Sequence, residues 1–166
     1  MRYISTKYDE FKLRETTAQD TSLILSFIKG IAEYEKMGDE VVATEETLRK
    51  SIFQDNRAKV LIAEVYGKPI GFALYFFNFS TFIGKAGLYL EDIFIQPEYR
   101  GKGYGKEIFI VLAKIAEENS CERMEWVCLD WNKPSIKFYK SFGSIPMDEW
   151  TTYRLVGDKI KNLANS

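Results

Sequence analysis

The sequence predicts an α/β fold built on a mixed sheet with helices on both faces. Three observations predict it. The first strands follow one another across a tight turn, which makes them antiparallel, whereas the later strands are separated by helical segments. The stretch Leu88–Glu118 reads as an apolar strand, a glycine-rich turn and an amphipathic helix. The chain has 166 residues, 46% apolar and 15% aromatic, enough to bury the core of one domain and too apolar for disorder.

Taken in order, residues 1–10 form a polar lead-in to a short apolar strand at Phe11–Leu13. Thr17 and Asp20 have the spacing of a capping box, with Asp in place of Glu. Ile24, Phe27, Ile28 and Ile31 follow helical spacing, which carries that helix to about Tyr34. Thr44 caps a second helix over Glu45–Phe53 that buries Leu48, Ile52 and Phe53. Asp55-Asn56 is a turn. Val60–Tyr66 and Pro69–Phe79 are strands joined by a hairpin turn at Gly67-Lys68, and Ser80–Gly87 is a loop.

The strand Leu88–Ile95, the turn Arg100–Gly105 and a helix carrying Ile108, Leu112, Ile115 and Ala116 come next. Arg123–Leu129 reads as another strand. The stretch Trp131–Ser135 opens a helix with Pro134 at its first position, and Gly143 closes it. Thr152–Val156 is a closing strand, and residues 157–166 form a polar tail. No linker or repeat interrupts the chain, so residues 1–166 read as a single domain.

The turn Arg100-Gly101-Lys102-Gly103-Tyr104-Gly105 suits an anion. Its glycines allow positive φ and close backbone approach. It feeds a helix N-terminus, where free amide N–H groups and the helix dipole favour negative charge. Arg100, Lys102 and Lys106 add positive charge, so a phosphate or pyrophosphate fits. The spacing matches neither a P-loop nor a dinucleotide fingerprint, because Gly105-Lys106 is followed by Glu107 and the third fingerprint glycine falls on Lys106. Without further context, a purely structural turn is an equal alternative.

Composition narrows the chemistry. The formal net charge of −1 argues against non-specific nucleic-acid binding. No apolar run reaches the length of a membrane span, and the first residues lack a signal-peptide core. Cys121 and Cys128 form no metal-spaced cluster and read as buried thiols of a protein in a reducing, cytoplasmic setting. There is no histidine, which removes histidine triads and histidine-based metal sites. Proton transfer is left to Asp, Glu, Lys, Tyr, Cys, water or backbone, and no metal is expected.

The pattern Arg-x-x-Gly-x-Gly from Arg100 to Gly105 is joined by Tyr89-Leu90-Glu91-Asp92 and Tyr99-Arg100-Gly101. Trp131-Asn132-Lys133-Pro134-Ser135-Ile136-Lys137-Phe138-Tyr139-Lys140 follows it. Together they resemble the GNAT superfamily of N-acetyltransferases and, within it, the spermidine/spermine (diamine) acetyltransferase branch. Tyr34-Glu35-Lys36-Met37 and Ile70-Gly71-Phe72-Ala73 agree with that branch, and the likeness runs from about Lys12 to Val156.

The resemblance implies the GNAT acyl-CoA N-acyltransferase fold, with a sheet that splays beside the strand Leu88–Ile95 to admit a pantetheine arm. It implies acetyl-CoA as cofactor and direct acetyl transfer, in a ternary complex, to a primary amine of a polyamine or diamine. It also implies a homodimer acting on a small molecule. The cofactor would be held by the backbone of Ile93, Phe94 and Ile95, by Arg100, Gly101, Lys102, Gly103, Tyr104, Gly105 and Lys106, and by Asn132, Lys133, Pro134, Ser135 and Tyr139. The amine would meet Tyr34, Glu35, Glu91, Asp92, Glu125, Trp126 and Val127.

Glu91 and Asp92 point to opposite faces of one strand, so one of them faces inward. A carboxylate there is costly unless paired or used. It is either a structural ion pair or, as the resemblance implies for Glu91, the group that takes a proton from the substrate ammonium. Tyr139 at helical spacing is a core residue on pattern alone, whereas the resemblance makes it the general acid. Asn132 and Ser135 can equally cap a helix. The acidic run Glu33–Glu40 is a solvated helix end or a surface for a cationic amine.

Two departures bear on the acceptor: Glu125-Trp126-Val127 replaces an apolar triplet, and Asp148–Arg154 has different spacing between Trp150 and Arg154. An amino acid, aminoglycoside or protein amine is the alternative acceptor, and a non-catalytic acyl-CoA sensor is the alternative outside enzymes.

Overall fold

The computed structural model describes residues 2–166. The chain divides into two compact units, one ending at Val127 and the other spanning Cys128–Ser166. The first unit holds a six-stranded sheet in the order β1 (Tyr3–Ser5), β2 (Phe11–Glu15), β3 (Lys59–Val65), β4 (Lys68–Ser80), β5 (Lys85–Ile95) and β6 (Met124–Glu125). Neighbours are antiparallel except β5 and β6, which are parallel. This is the mixed sheet the sequence predicts.

Helices α1 (Thr21–Tyr34) and α2 (Glu45–Leu48, continued as a π-helical turn over Arg49–Gln54) cover one face. Ile24 and Phe27 of α1 meet Val60, Ile62, Phe72 and Phe94 of the sheet, with Ile52 completing that core. Helix α3 (Tyr104–Glu118) covers the other face, where the Tyr104 ring stacks on Phe11 at 4.4 Å. Leu13 and Ala63 are paired and share that side with Phe11. Both expected caps form: the Thr17 amide donates to Asp20 Oδ2 at 2.8 Å, and the Thr47 amide donates to Thr44 Oγ1 at 3.2 Å.

Several local expectations are corrected. Residues 1–10 are not all lead-in, because Tyr3–Ser5 pairs with Lys12–Arg14; three residues are too few to carry a strand pattern. The hairpin between β3 and β4 turns at Tyr66-Gly67, both at positive φ (49° and 76°), one residue earlier than the expected Gly67-Lys68. The loop expected at Ser80–Gly87 shrinks to residues 81–84, since cross-strand pairs Asn78–Gly87 and Ser80–Lys85 extend both strands. The strand expected at Arg123–Leu129 keeps only Met124 and Glu125.

In the second unit, α4 (Lys133–Lys140) begins on Asn132, with Pro134 second rather than first in the helix. Gly143 lies beyond its end at φ 82°. Thr152–Val156 has strand composition but no ladder partner among the described residues. Residues 157–166 are not a featureless tail: Asp158–Ala164 is a helix, α5, with Asp158 in its first turn and Lys161 in its last, as the helix dipole favours.

Candidate active site

The site is organised by an irregularity in β5. Leu74 pairs with Asp92 and Tyr75 with Leu90, so Glu91 is the extra residue of a β-bulge. A bulge bends its strand and re-aims the side chains around it. The bulge also falls where the parallel partner ends: β6 pairs only with Leu88 and Tyr89. From Leu90 to Ile95, β5 therefore has a strand partner on one side only among the described residues. The backbone edge of Ile93, Phe94 and Ile95 is the expected contact for an extended amide-bearing arm, and its geometry suits one.

An acidic cluster forms at this bulge. Glu35 caps the end of α1, which closes as a Schellman motif: the Met37 amide donates to the Ala32 carbonyl at 2.8 Å, and the Lys36 amide donates to that of Glu33 at 3.1 Å. Gly30 brings α1 against the sheet there, since a Cβ at that position would lie 2.8 Å from Phe94 Cζ. Tyr34 and Glu35 are thereby fixed beside the end of β5.

Asp92 is half-buried and Glu91 exposed, so Asp92 is the inward carboxylate of the pair. Burial, then the charges of Glu91 and Glu35, push the Asp92 carboxyl up to about 6. Burial also raises Glu35. Three acids and a helix C-terminus make a region that favours a cation.

The glycine turn takes the form expected of an anion cradle. Gly101 and Gly103 adopt φ of 74° and 86°. Gly103 is the N-cap of α3, and its carbonyl accepts the amides of Lys106 and Glu107 at 3.1 and 3.3 Å. Lys102 and Lys106 are exposed. Arg100 is committed on one side: Nε donates to the Ile95 carbonyl at 2.7 Å, and its guanidinium lies over the rings of Tyr34 and Phe94 at 4.9 and 5.4 Å. A pyrophosphate fits these residues: two left-handed glycines precede a helix N-terminus, flanked by the exposed Lys106 and by Lys102, whose ammonium lies over the Tyr99 ring at 5.2 Å.

Glu125, Trp126 and Val127 are differently disposed. Glu125 Oε2 accepts Asn78 Nδ2 at 3.1 Å and lies 3.0 Å from Arg123 Nε. Trp126 meets Phe109 edge-on at 5.0 Å, and Val127 is exposed.

Asn132, Lys133, Pro134, Ser135 and Tyr139 belong to the second unit. Asn132 Oδ1 accepts the Ser135 amide at 3.3 Å, which is the capping role the sequence allows. Tyr139 is half-buried on α4, its ring 5.6 Å from that of Phe138. Cys121 and Cys128 are not in a disulfide and are half-buried, rather than buried as expected.

The sequence reading missed Tyr8 and Glu10, which contact Gly103 and Tyr104 at the glycine turn. A polar lead-in carries no local signal for such a contact, because the residues involved are nearly a hundred positions apart.

Comparison with known proteins gives the family and the fold. The model of the acetyltransferase (GNAT) family matches residues 27–143. The chain is 37% identical over 164 residues to a thialysine N-epsilon-acetyltransferase of Sus scrofa, covering 92% of this chain and 96% of that protein. It is 34% identical to a human spermidine/spermine N(1)-acetyltransferase-like protein 1, covering 96% of this chain and 24% of the relative. Among solved structures, an integron cassette protein from V. cholerae superposes with a TM-score of 0.78 at 29% identity, covering 96% of this chain and all of that one.

Proposed function

The chain belongs to the acetyltransferase (GNAT) family, and from that premise we propose that it transfers an acetyl group from acetyl-CoA to a primary amine of a small cationic acceptor. The acceptor class is a diamine, a polyamine or a lysine-like amino acid such as thialysine. One observation carries this reading: Glu35, Glu91 and Asp92 cluster at the bulge of β5, beside the one-sided edge of that strand and ahead of the glycine turn.

Each part has a chemical role. The turn Gly101–Gly105 with Lys102 and Lys106 would hold the pyrophosphate, and the edge of Ile93–Ile95 the pantetheine amides. When bound, acetyl-CoA supplies a thioester as acyl donor. The amine acceptor has a pKa of about 10.4 and must lose a proton before it attacks. Glu91 receives that proton, directly or through water. Asp92 and Glu35 hold the acceptor's positive charge, and Tyr34 flanks it.

A phenol, with an ordinary pKa of about 10, can protonate a thiolate leaving group, and Tyr139 would have that role. Asn132 and Ser135 are the residues of α4 and its cap that would hold the cofactor. Two cysteines outside any disulfide suit a reducing, cytoplasmic compartment. A homodimer is the expected assembly.

Release of free thiol from acetyl-CoA across an amine panel tests the reading. The panel is spermidine, spermine, putrescine, thialysine, lysine and an aminoglycoside. Saturable release with a diamine, polyamine or thialysine is the expected result. Release with the aminoglycoside alone would move the acceptor out of this class, and no release with any amine would overturn the reading.

A further inference from the structure

The turn between β1 and β2, residues 6–10, is fastened to the glycine turn by Tyr8 and Glu10 and to the first turn of α3 by Lys7, with Phe11 at the start of β2 packing beside them. A Cβ on Gly103 would stand 2.5 Å from the Tyr8 hydroxyl oxygen, so Tyr8 occupies the space that any other residue at 103 would need. The Tyr8 ring meets the Tyr104 ring edge-on at 5.6 Å. Phe11 stacks on the other side of the contact at 4.4 Å, and the Tyr104 hydroxyl donates to Glu10 Oε1 at 3.1 Å. One turn further along α3, the buried Glu107 accepts the Lys7 amide at 3.2 Å and lies 3.4 Å from the Lys7 ammonium.

The turn itself is internally braced. Thr6 Oγ1 donates to the Phe11 carbonyl at 2.8 Å and accepts the Tyr8 amide at 3.2 Å. Tyr8 is thus delivered by a fixed backbone, not by a free terminus.

We propose that Tyr8 is a positioning residue for the phosphate-binding turn, holding Gly103 in its left-handed conformation and Tyr104 at the first position of α3. The inference rests on the proposed reading that this turn binds the pyrophosphate of acetyl-CoA. The physical argument is preorganisation. An exposed glycine turn has many accessible conformations, and a ligand that must order it loses affinity. A turn held from behind presents its amides in the binding geometry before the ligand arrives. Tyr8 touches neither the β5 bulge nor the acidic cluster among its described contacts, so its effect falls on cofactor affinity and not on the amine.

The test is calorimetric titration of the full chain with coenzyme A, together with steady-state kinetics. In Tyr8→Ala, the coenzyme A Kd rises about three- to tenfold, the cost of ordering one or two released groups. The kcat at saturating acetyl-CoA and the KM of the amine stay unchanged. Tyr8→Phe, which keeps the ring contact with Tyr104 but loses the hydroxyl beside Gly103, gives a Kd between those of Tyr8→Ala and the unsubstituted protein. The core truncation Ile62→Val serves as a control: it lowers Tm but leaves the Kd alone.

Equal Kd in Tyr8→Ala and the unsubstituted protein overturns the inference while leaving the reading of the turn intact. A Kd that rises as much in Ile62→Val also overturns it, since general loosening would then explain the loss. Absence of coenzyme A binding in the unsubstituted protein overturns the reading of the turn and this inference with it. Should Tyr8→Ala fail to fold, Glu10→Ala removes the acceptor of the Tyr104 hydroxyl and carries the same expectation.

Discussion

The guanidinium of Arg100 lies 4.9 Å over the ring of Tyr34, joining the head of the glycine turn to the last turn of α1. The same group rests 5.4 Å from the Phe94 ring, and its Nε is tied to the Ile95 carbonyl. A residue expected to bind cofactor and one expected to bind the amine are thus in direct contact. The contact depends on a flat, delocalised cation, which Lys does not provide.

Arg100→Lys should therefore raise the KM of both acetyl-CoA and the amine. A double-mutant cycle with Tyr34→Leu should return a coupling of about 0.5–1 kcal/mol, the range for an exposed cation–π pair. Strict additivity would show that the two residues act independently.

Asp92 gives the fold a pH dependence of definite sign. Its carboxyl is pushed from 3.8 to about 6 on folding, first by burial and then by Glu91 and Glu35. The native state therefore binds more protons than the unfolded one between these values, and stability falls as pH rises through them. The slope is at most about 1.4 kcal/mol per pH unit. Asp92→Asn should raise Tm at pH 7 and leave it unchanged below pH 3.8, as thermal melts across pH would register. The same variant should raise the KM of a cationic amine. A Tm gain that persists undiminished at low pH would count against burial of this charge as the cause.

Tyr139→Phe removes the proposed proton donor and keeps the aromatic ring. Loss of a general acid typically slows turnover by about 100- to 10,000-fold. The kcat should fall within that range while coenzyme A Kd is retained. Turnover equal to that of the unsubstituted enzyme would remove Tyr139 from the chemistry.

Arg14 is a structural cation. Its guanidinium pairs with Asp20 at 2.7 Å and with Glu64, and all three side chains are nearly buried. Arg14 holds the Asp20 carboxyl below the ordinary carboxylate range. That part of the stability is complete above pH 3.8 and is lost as pH falls further. Arg14→Met strands two buried carboxylates and should cost about 3–5 kcal/mol in denaturant unfolding at pH 7. A loss below about 1 kcal/mol would mean that water reaches the carboxylates.

What was legible in the sequence was what depends on local physics. Thr17 with Asp20 and Thr44 announce helix starts because caps act within three residues. The glycine turn announces itself because φ near 80° at Gly101 and Gly103 is a local demand met by residue type. The strand–turn–helix order and the mixed sheet follow from such signals in sequence order, whereas the family is carried by the resemblance of the motifs around Glu91, Arg100–Gly105 and Trp131–Lys140.

Tertiary structure decided the rest, for reasons of distance and register. Which of Glu91 and Asp92 turns inward depends on a bulge set by pairing with Leu74 and Tyr75, and alternation along one strand cannot reveal it. The short strand at Tyr3–Ser5 exists only because Phe11–Glu15 offers it an edge. Thr152–Val156 has strand composition but no ladder partner among the described residues, since β-propensity needs a neighbour to act on. Tyr8 reaches Gly103 across ninety-five positions of chain. Local sequence limits which conformations each segment can adopt, whereas only the assembled sheet determines which segments meet.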